Sequence, residues 1–470
     1  MSIKNILKKV ATSNICISII GTTVLFVMFF FWYLNECTAG VYGRVASLVV
    51  TVLFAFVCIN FVPQWTEYWS GKNIFRTSFQ YNEFDDASSE KEINKTAVKI
   101  FFVLILTNIA VIVAVFLMRC LNFGAVPFLE SLDFWKMLDS GHYLAIAEDW
   151  YLSEGEWDRL VQLVFLPGYP VLIKIVNYIF GNYLYSALVI ASLCFAAAGS
   201  MFYKLLRIDF CKKDALRAIK YLCIFPASFF FAAPMSESLF LFISVSCIYF
   251  SRKHKWFTAC LFGGYAAFTR SLGIVLLVPV IIEFVHCFRL GAQYIKTKKE
   301  IARWIISFLS LLIIAAGLVA YLFINYKVSG DPFKFSEYQK EHWGQSLGYF
   351  FNTAAYQTEN LISYFEHSVT TSLGLWLPNV IVCFFSLCVM IPASRKLNPG
   401  YTAYFIAYYF IAVGTTWLLS APRYMAALIT LPVAVSVITK KPKIDAAMTI
   451  LFGVMYALYL YAFIMRWQVW

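Results

Sequence analysis

The sequence predicts an all-α, polytopic transmembrane helix bundle of about thirteen spans, with further helices along its exoplasmic interface. Three observations carry that prediction. Of 470 residues, 61% are hydrophobic and only 14% charged, where a soluble chain carries roughly a quarter charged. Apolar runs of membrane-spanning length recur from end to end. Between them, Lys and Arg collect in every second loop, as the positive-inside rule requires. The 46 Phe, 29 Tyr and 13 Trp fit interface belts and packed helices and carry no function by themselves.

Taken in order, the N-terminal MSIKNILKK is basic and precedes a long apolar run without a small-residue cleavage site, which reads as a retained signal anchor. Spans at 14–34 and 44–64 leave the N-terminus and the loop 65–96 (Lys72, Arg76, Lys91, Lys95) in the cytoplasm. Residues 97–119 cross outward, so LDSGHYLAIAEDWY at 138–151 emerges on the exoplasmic side. The segment 164–180 is nearly long enough to cross. If it did, the span 183–206 would run outward and leave Arg207, Lys212, Lys213, Arg217 and Lys220 outside, against the charge rule. A segment lying along the outer interface, deflected by Pro167 and Pro170, restores the pattern. Basic loops then follow at 252–255, at Lys296 to Arg303, at 395–396 and at 440–443. The outer turns are 232–238, 268–273, a long loop 326–370 and 418–424, and the C-terminus ends outside. Three parts result: a two-span extension with its loop (1–96), a membrane domain (97–440) and a final span (441–470).

A net charge of +12 is explained by cytoplasmic loops, so no nucleic-acid partner is expected. Most of the 12 cysteines fall inside apolar runs, without CxxC or Cys/His spacing, and neither a disulfide nor a metal site is expected. No Gly-rich loop accompanies a strand–helix unit, which leaves cytoplasmic nucleotide-sugar chemistry unsupported.

Every conspicuous polar cluster falls on the outer side. The helices flanking Glu237, at 219–233 and 238–251, hold about 15 residues each against the ~20 needed to cross. These turns therefore sink below the outer surface, where an ionised side chain costs on the order of 2.5–3.5 kcal/mol unless it faces a polar cavity or a partner. Glu237, Arg270 and Arg423 accordingly mark a polar chamber open to the outside. Plainer readings stand beside this one. Glu237 and Arg270 can be structural glue, and Arg423 can snorkel from a helix start. Asp139 can be an N-cap, a position that favours Asp anyway, or a carboxylate aimed into the chamber as a base.

Six short motifs, in order over about 97–440, match one family. LDSGHYLAIAEDWY is similar to its W-D-x-x-H-Y-x-x-I-A segment, FLPGYPVLIK to F-F-P-x-x-P, and MSESLF to T-E-S-L-F. FTRSLG matches T-R-S-x-G, SGDPFKFSEYQKEHWG a G-D-P…Q-x-x-H-W loop, and APRY a P-R-Y turn. On these, the chain resembles the PIG-V family of mannosyltransferases, which have the GT-C glycosyltransferase fold. It departs at Leu138, where the family has Trp, and at Trp150, where it has Gly, and two additional spans precede the matching region.

The resemblance implies transfer of a hexose, mannose by family, from a polyprenyl-phosphate donor to a lipid-linked or glycan acceptor. It implies an inverting reaction at an exoplasmic site, without cofactor or metal. Asp139 would be the base and Glu237 would orient the acceptor or hold Arg270. Arg270, then Arg423, would meet the donor phosphate, with His142 and Tyr143 also on substrate. Gln339, His342 and Trp343 would contact sugar or cover the site. The membrane would be the plasma membrane in a prokaryote and the endoplasmic reticulum in a eukaryote. The main alternative from the residues is a transporter or lipid flippase, since short helices and intramembrane charges also mark transport sites. Internal symmetry between halves, which that alternative wants, is not visible in the sequence.

Overall fold

The computed structural model describes residues 3–69, 90–151, 159–291, 297–415 and 420–469. Lys72, Arg76, Lys296 and the first two residues of the 418–424 turn lie outside the described residues. Within them the chain is helical, with one isolated bridge between Leu347 and Thr415. Among the described residues eight helical stretches are long and apolar enough to cross a membrane, so the protein is a multi-pass membrane protein.

The helices, in order, are α1 (Ile3–Asn35), α2 (Val41–Trp69), α3 (Glu90–Phe123), α4 (Ser140–Asp149), α5 (Gly168–Phe180), α6 (Tyr183–Asp209), α7 (Lys212–Ile224), α8 (Glu237–Arg252), α9 (Trp256–Thr269) and α10 (Leu277–Gly291). They continue with α11 (Lys298–Ser310), α12 (Leu312–Ser329), α13 (Lys334–Trp343), α14 (Phe350–His367), α15 (Leu377–Ser394), α16 (Pro399–Ala412), α17 (Ala421–Ala426), α18 (Thr430–Ile438) and α19 (Pro442–Ile464). Eight is fewer than the thirteen expected, because α7, α8, α9, α16, α17 and α18 are each shorter than the 18 residues such a span takes. Local chemistry sets several starts. The Asn182 side chain accepts from Tyr185 N at the head of α6, and Thr297 and Glu300 form a capping box at α11.

Ion pairs fix which helix ends share a side. Lys212, opening α7, reaches Glu92 at the start of α3 (3.1 Å). Arg252, closing α8, pairs with Asp209 at the end of α6 (2.5 Å) and with Glu283 of α10 (3.3 Å). Tyr68 near the end of α2 donates to the same Glu283 (2.7 Å), and Lys440 after α18 reaches Asp214 of α7 (3.1 Å). All these residues lie at one end, the end rich in Lys and Arg. Because α3 starts there and α6 finishes there, residues 124–182 leave and return at the opposite end. The chain between them, α5 included, therefore makes no net crossing, as the charge pattern predicts.

Two elements differ from the sequence expectation. The stretch expected as one helix over 219–233 breaks: α7 stops at Ile224, Pro226 follows, and Ser228–Ala232 is a 3₁₀ turn. The long loop 326–370 is no loose connection but carries α13 and α14. Phe350 and Phe351, at the head of α14, are fully buried. Phe350 packs on Phe54 of α2 (4.6 Å) and Phe351 on Trp32 of α1 (5.2 Å), while Trp32 Nε1 donates to Asn352 (3.1 Å). The first two spans are thus the seat of α14.

Small residues set the tightest crossings. A Cβ on Gly317 of α12 would collide with the Gly264 carbonyl of α9, so the pair lets two backbones touch.

Candidate active site

Four charged side chains from four elements meet at the end opposite the Lys/Arg-rich one. Glu237 opens α8, Arg270 follows α9, Arg423 lies in α17 and Asp139 precedes α4. Arg423 donates from Nε and Nη2 to Glu237 Oε1 (2.9 and 2.6 Å) and from Nη2 to Asp139 Oδ2 (2.7 Å). Arg270 Nη1 reaches the same Glu237 oxygen (2.9 Å) and donates to Ser236 Oγ (3.3 Å). Two carboxylates and two guanidiniums make a neutral quartet, which is how buried charges persist. Aromatic rings wall it: Arg270 lies over Tyr424 (4.6 Å) and Arg423 over Phe230 (5.3 Å).

The members differ in access. The Glu237 side chain is 1% exposed, Arg423 3%, Arg270 11% and Asp139 31%. Arg423 is therefore no snorkeller; it is enclosed and shared. Nor does Asp139 act as the cap its position invites. Its side chain makes no capping bond to α4 and goes to Arg423 instead. Glu237, holding both arginines through one oxygen while Oε2 has no hydrogen-bond partner, fixes the guanidiniums. Asp139 is the carboxylate of the quartet that solvent reaches.

Two motif glycines explain how Arg270 is placed. A Cβ on Gly273 would strike the Ala266 backbone, and one on Gly168 would strike Thr269. The turn after α9 therefore folds flush onto that helix while the head of α5 presses on Thr269, and Tyr265 Oη donates to Gly168 O (2.7 Å). Strain flanks Asp139. Leu138 has φ 56 and Trp150 φ 67, left-handed values that cost a non-glycine residue on the order of 1–3 kcal/mol. Trp150, closing α4, stands where the resembled family has glycine, the residue that such a helix end accepts freely.

The other predicted site residues divide. Tyr143 faces the quartet, its hydroxyl 3.0 Å from Ser236 Oγ, and burial raises its pKa. His142 stacks on Phe165 (4.5 Å), with Trp343 edge-on to both (6.5 and 5.9 Å). Burial lowers the His142 pKa, against the pull of the Asp139 charge. Gln339 donates to Gln345 (3.0 Å), and His342 is exposed and stacked on Tyr338 (5.5 Å); neither makes a contact with the quartet among those described. Sequence reasoning missed Ser236, Phe165 and Tyr424, although each is a letter of a motif it quoted. Among the described residues no group of three or more His, Cys, Asp or Glu gathers as a metal site, and Arg423 sits between the two carboxylates.

Beside the quartet α15 and α19 leave an apolar cavity of about 660 Å³, lined by Phe225, Leu377, Phe385, Tyr459 and Trp467 among others. Its wall reaches Pro422, the residue before Arg423.

No family model matches the chain, and no curated protein does. Two solved structures are similar in outline. The crystal structure of ArnT from Cupriavidus metallidurans bound to undecaprenyl phosphate shares 13% identity at a TM-score of 0.43, over 72% of this chain and 75% of that one. The archaeal oligosaccharyltransferase AglB from Archaeoglobus fulgidus, in complex with an inhibitory peptide and a dolichol-phosphate, shares 13% at 0.39, over 79% of this chain and 56% of that one.

Proposed function

We propose that this protein is a GT-C-type membrane glycosyltransferase, PIG-V-like in its motifs, that moves a hexose (mannose, by that resemblance) from a polyprenyl-phosphate donor to an acceptor hydroxyl. The observation that carries the proposal is the quartet: a buried, charge-balanced cluster with one half-open carboxylate, beside a long apolar cavity. Each part suits one piece of the reaction. The cavity takes the isoprenoid tail and sets the phosphate near α17. The guanidiniums of Arg423 and Arg270 stabilise charge on the leaving phosphate oxygen. Asp139, oriented by its hydrogen bond from Arg423, accepts the proton of the acceptor hydroxyl. That oxygen bonds to the anomeric carbon as the carbon–phosphate oxygen bond breaks, and polyprenyl phosphate departs with inversion. Glu237 touches no reacting atom in this scheme; it aims the arginines. His142, Phe165 and Trp343 form an aromatic wall suited to a sugar face, with Trp343 contributed by the end of α13.

On this reading residues 97–440 are the catalytic membrane domain, 1–96 its two-span support and 441–470 the last span. The site opens to the exoplasm, since the Lys- and Arg-rich end lies opposite. The transporter or flippase reading draws on the same buried charges and the apolar cavity, and differs in making no product.

The test is transfer by purified protein in detergent from polyprenyl-phosphate mannose, with and without EDTA, for wild type and Asp139→Asn. Release of polyprenyl phosphate by wild type that survives EDTA and is lost in the variant is the expected result. Equal turnover by both proteins would move the base away from Asp139. No release by either would return the transport reading.

A further inference from the structure

The turn that carries Arg423 does not hold itself. α17 is six residues long, and so short a helix persists only with outside contacts. Ser420, at its N-cap, lends no side-chain bond, although the first N–H groups of a helix have no partner within it. The partner comes from another element. Asn379 Oδ1, in the first turn of α15, accepts from Ala421 N (2.9 Å). Toward the other end of α17, Tyr408 Oη of α16 donates to Tyr424 O (2.9 Å). Asn379, Tyr408 and Ala421 are all fully buried. An amide buried in a spanning helix is costly unless it is bonded, and here its bond goes to the one helix that carries Arg423.

The two bonds bracket the residues that shape the quartet. Between Ala421 and Tyr424 stands Arg423, whose bonds to Glu237 and Asp139 measure 2.9, 2.6 and 2.7 Å. Tyr424 itself supplies the ring under Arg270 (4.6 Å). One pair of side chains thus fixes both guanidiniums, Arg423 through its backbone and Arg270 through the ring beneath it. Pro378, Ile381 and Val382, on either side of Asn379 in α15, line the apolar cavity, as does Pro422. Cavity wall and turn are therefore joined at Asn379. We propose that Asn379 and Tyr408 are positioning residues of the active site, which hold Arg423 and Arg270 where charge develops on the leaving phosphate. The proposal rests on the glycosyltransferase reading for what the arginines do, and on the two bonds for what aims them.

The test sets Tyr408→Phe, which removes one oxygen, against Tyr409→Phe. Tyr409 is equally buried, and its hydroxyl also joins α16 to α15, donating to Cys383 O (3.3 Å) rather than to α17. With polyprenyl-phosphate mannose in detergent, kcat per folded molecule should fall on the order of tenfold in Tyr408→Phe. Donor KM should hold, because Tyr408 is not among the residues lining the cavity. Asn379→Ala should show a similar loss of kcat, and Tyr409→Phe should keep the wild-type value. Equal kcat in Tyr408→Phe and Tyr409→Phe would overturn the proposal. A second readout needs no activity. The thermal-unfolding shifts of Tyr408→Phe and Asp139→Asn should not add in the double variant, because both loosen the bond between Arg423 and Asp139. Those of Tyr409→Phe and Asp139→Asn should add. Additive shifts in both pairs would overturn the proposal, whether or not wild type transfers sugar. Absence of transfer by wild type, with non-additive shifts in the first pair alone, would sink the glycosyltransferase reading and leave the positioning role standing.

Discussion

The two ends of the bundle both bury ion pairs, and they bury them differently. At the Lys/Arg-rich end, Arg252 bridges Asp209 and Glu283, and Tyr68 donates to Glu283. The two carboxylate side chains are 12% and 9% exposed, and the cavity beside Arg252 and Glu283 is about 10 Å³, room for no more than about one water. At the other end, Asp139 keeps 31% exposure and the neighbouring cavity is about 660 Å³. One cluster ties α2, α6, α8 and α10 together and admits nothing. The other has a reachable acid and space for a lipid tail. Burial of charge alone therefore does not separate the two ends; a half-open member beside a cavity does.

The widest effect should come from Arg423→Ala. It strips partners from both carboxylates and should cost about 3–5 kcal/mol of stability along with all transfer, read by thermal unfolding and by product release. Arg252→Ala should destabilise by a similar amount, for the same reason at the other end, yet leave turnover per folded molecule near wild type. If Arg252→Ala silenced folded protein too, the contrast between the ends would fail. Asp139→Asn should lower turnover about 10²–10⁴-fold, the usual range for a lost general base, with a smaller stability change because its side chain is partly solvated. Trp150→Gly relieves a left-handed backbone and should recover on the order of 1 kcal/mol, less whatever is lost from the Trp150 contact with Tyr151 (5.0 Å).

The smallest effect is in pH. His254, between α8 and α9, has its pKa raised to about 9 by hydrogen bonds with Cys287 and then Glu283. A folded pKa above the unfolded value stabilises fully below about 6.5 and loses that contribution as pH rises through about 9. Wild type should therefore lose more stability than His254→Gln between pH 7 and 10. The difference should be modest, because the side chain is half exposed.

How much of this could be read from the sequence follows from what residues say alone. The alternation of Lys- and Arg-bearing loops fixed the parity of the crossings, because charge placement relative to a membrane is a property of each loop by itself. The ion pairs between Glu92 and Lys212 and between Asp209 and Arg252 repeat that parity in space. That Glu237, Arg270 and Arg423 share a recess was legible because each sits at the end of a helix too short or too apolar to hide a charge. Their sharing was not: which guanidinium bridges which carboxylate depends on approach angles of elements 186 and 284 residues apart. The capping role offered for Asp139 failed for the same reason, since a stronger distant partner outcompeted the local N–H groups. In α14 the signal was present and masked. Phe350, Phe351, Ala354 and Ala355 repeat at helical spacing, but the polar residues among them read as loop.

The central claim is that the quartet, and not merely any buried ion cluster, carries the reaction. The most direct measurement is polyprenyl-phosphate release per folded molecule for Asp139→Asn and Arg252→Ala side by side. The account predicts near-complete loss in the first and near-wild-type turnover in the second. Equal activities in the two, high or low, would contradict it.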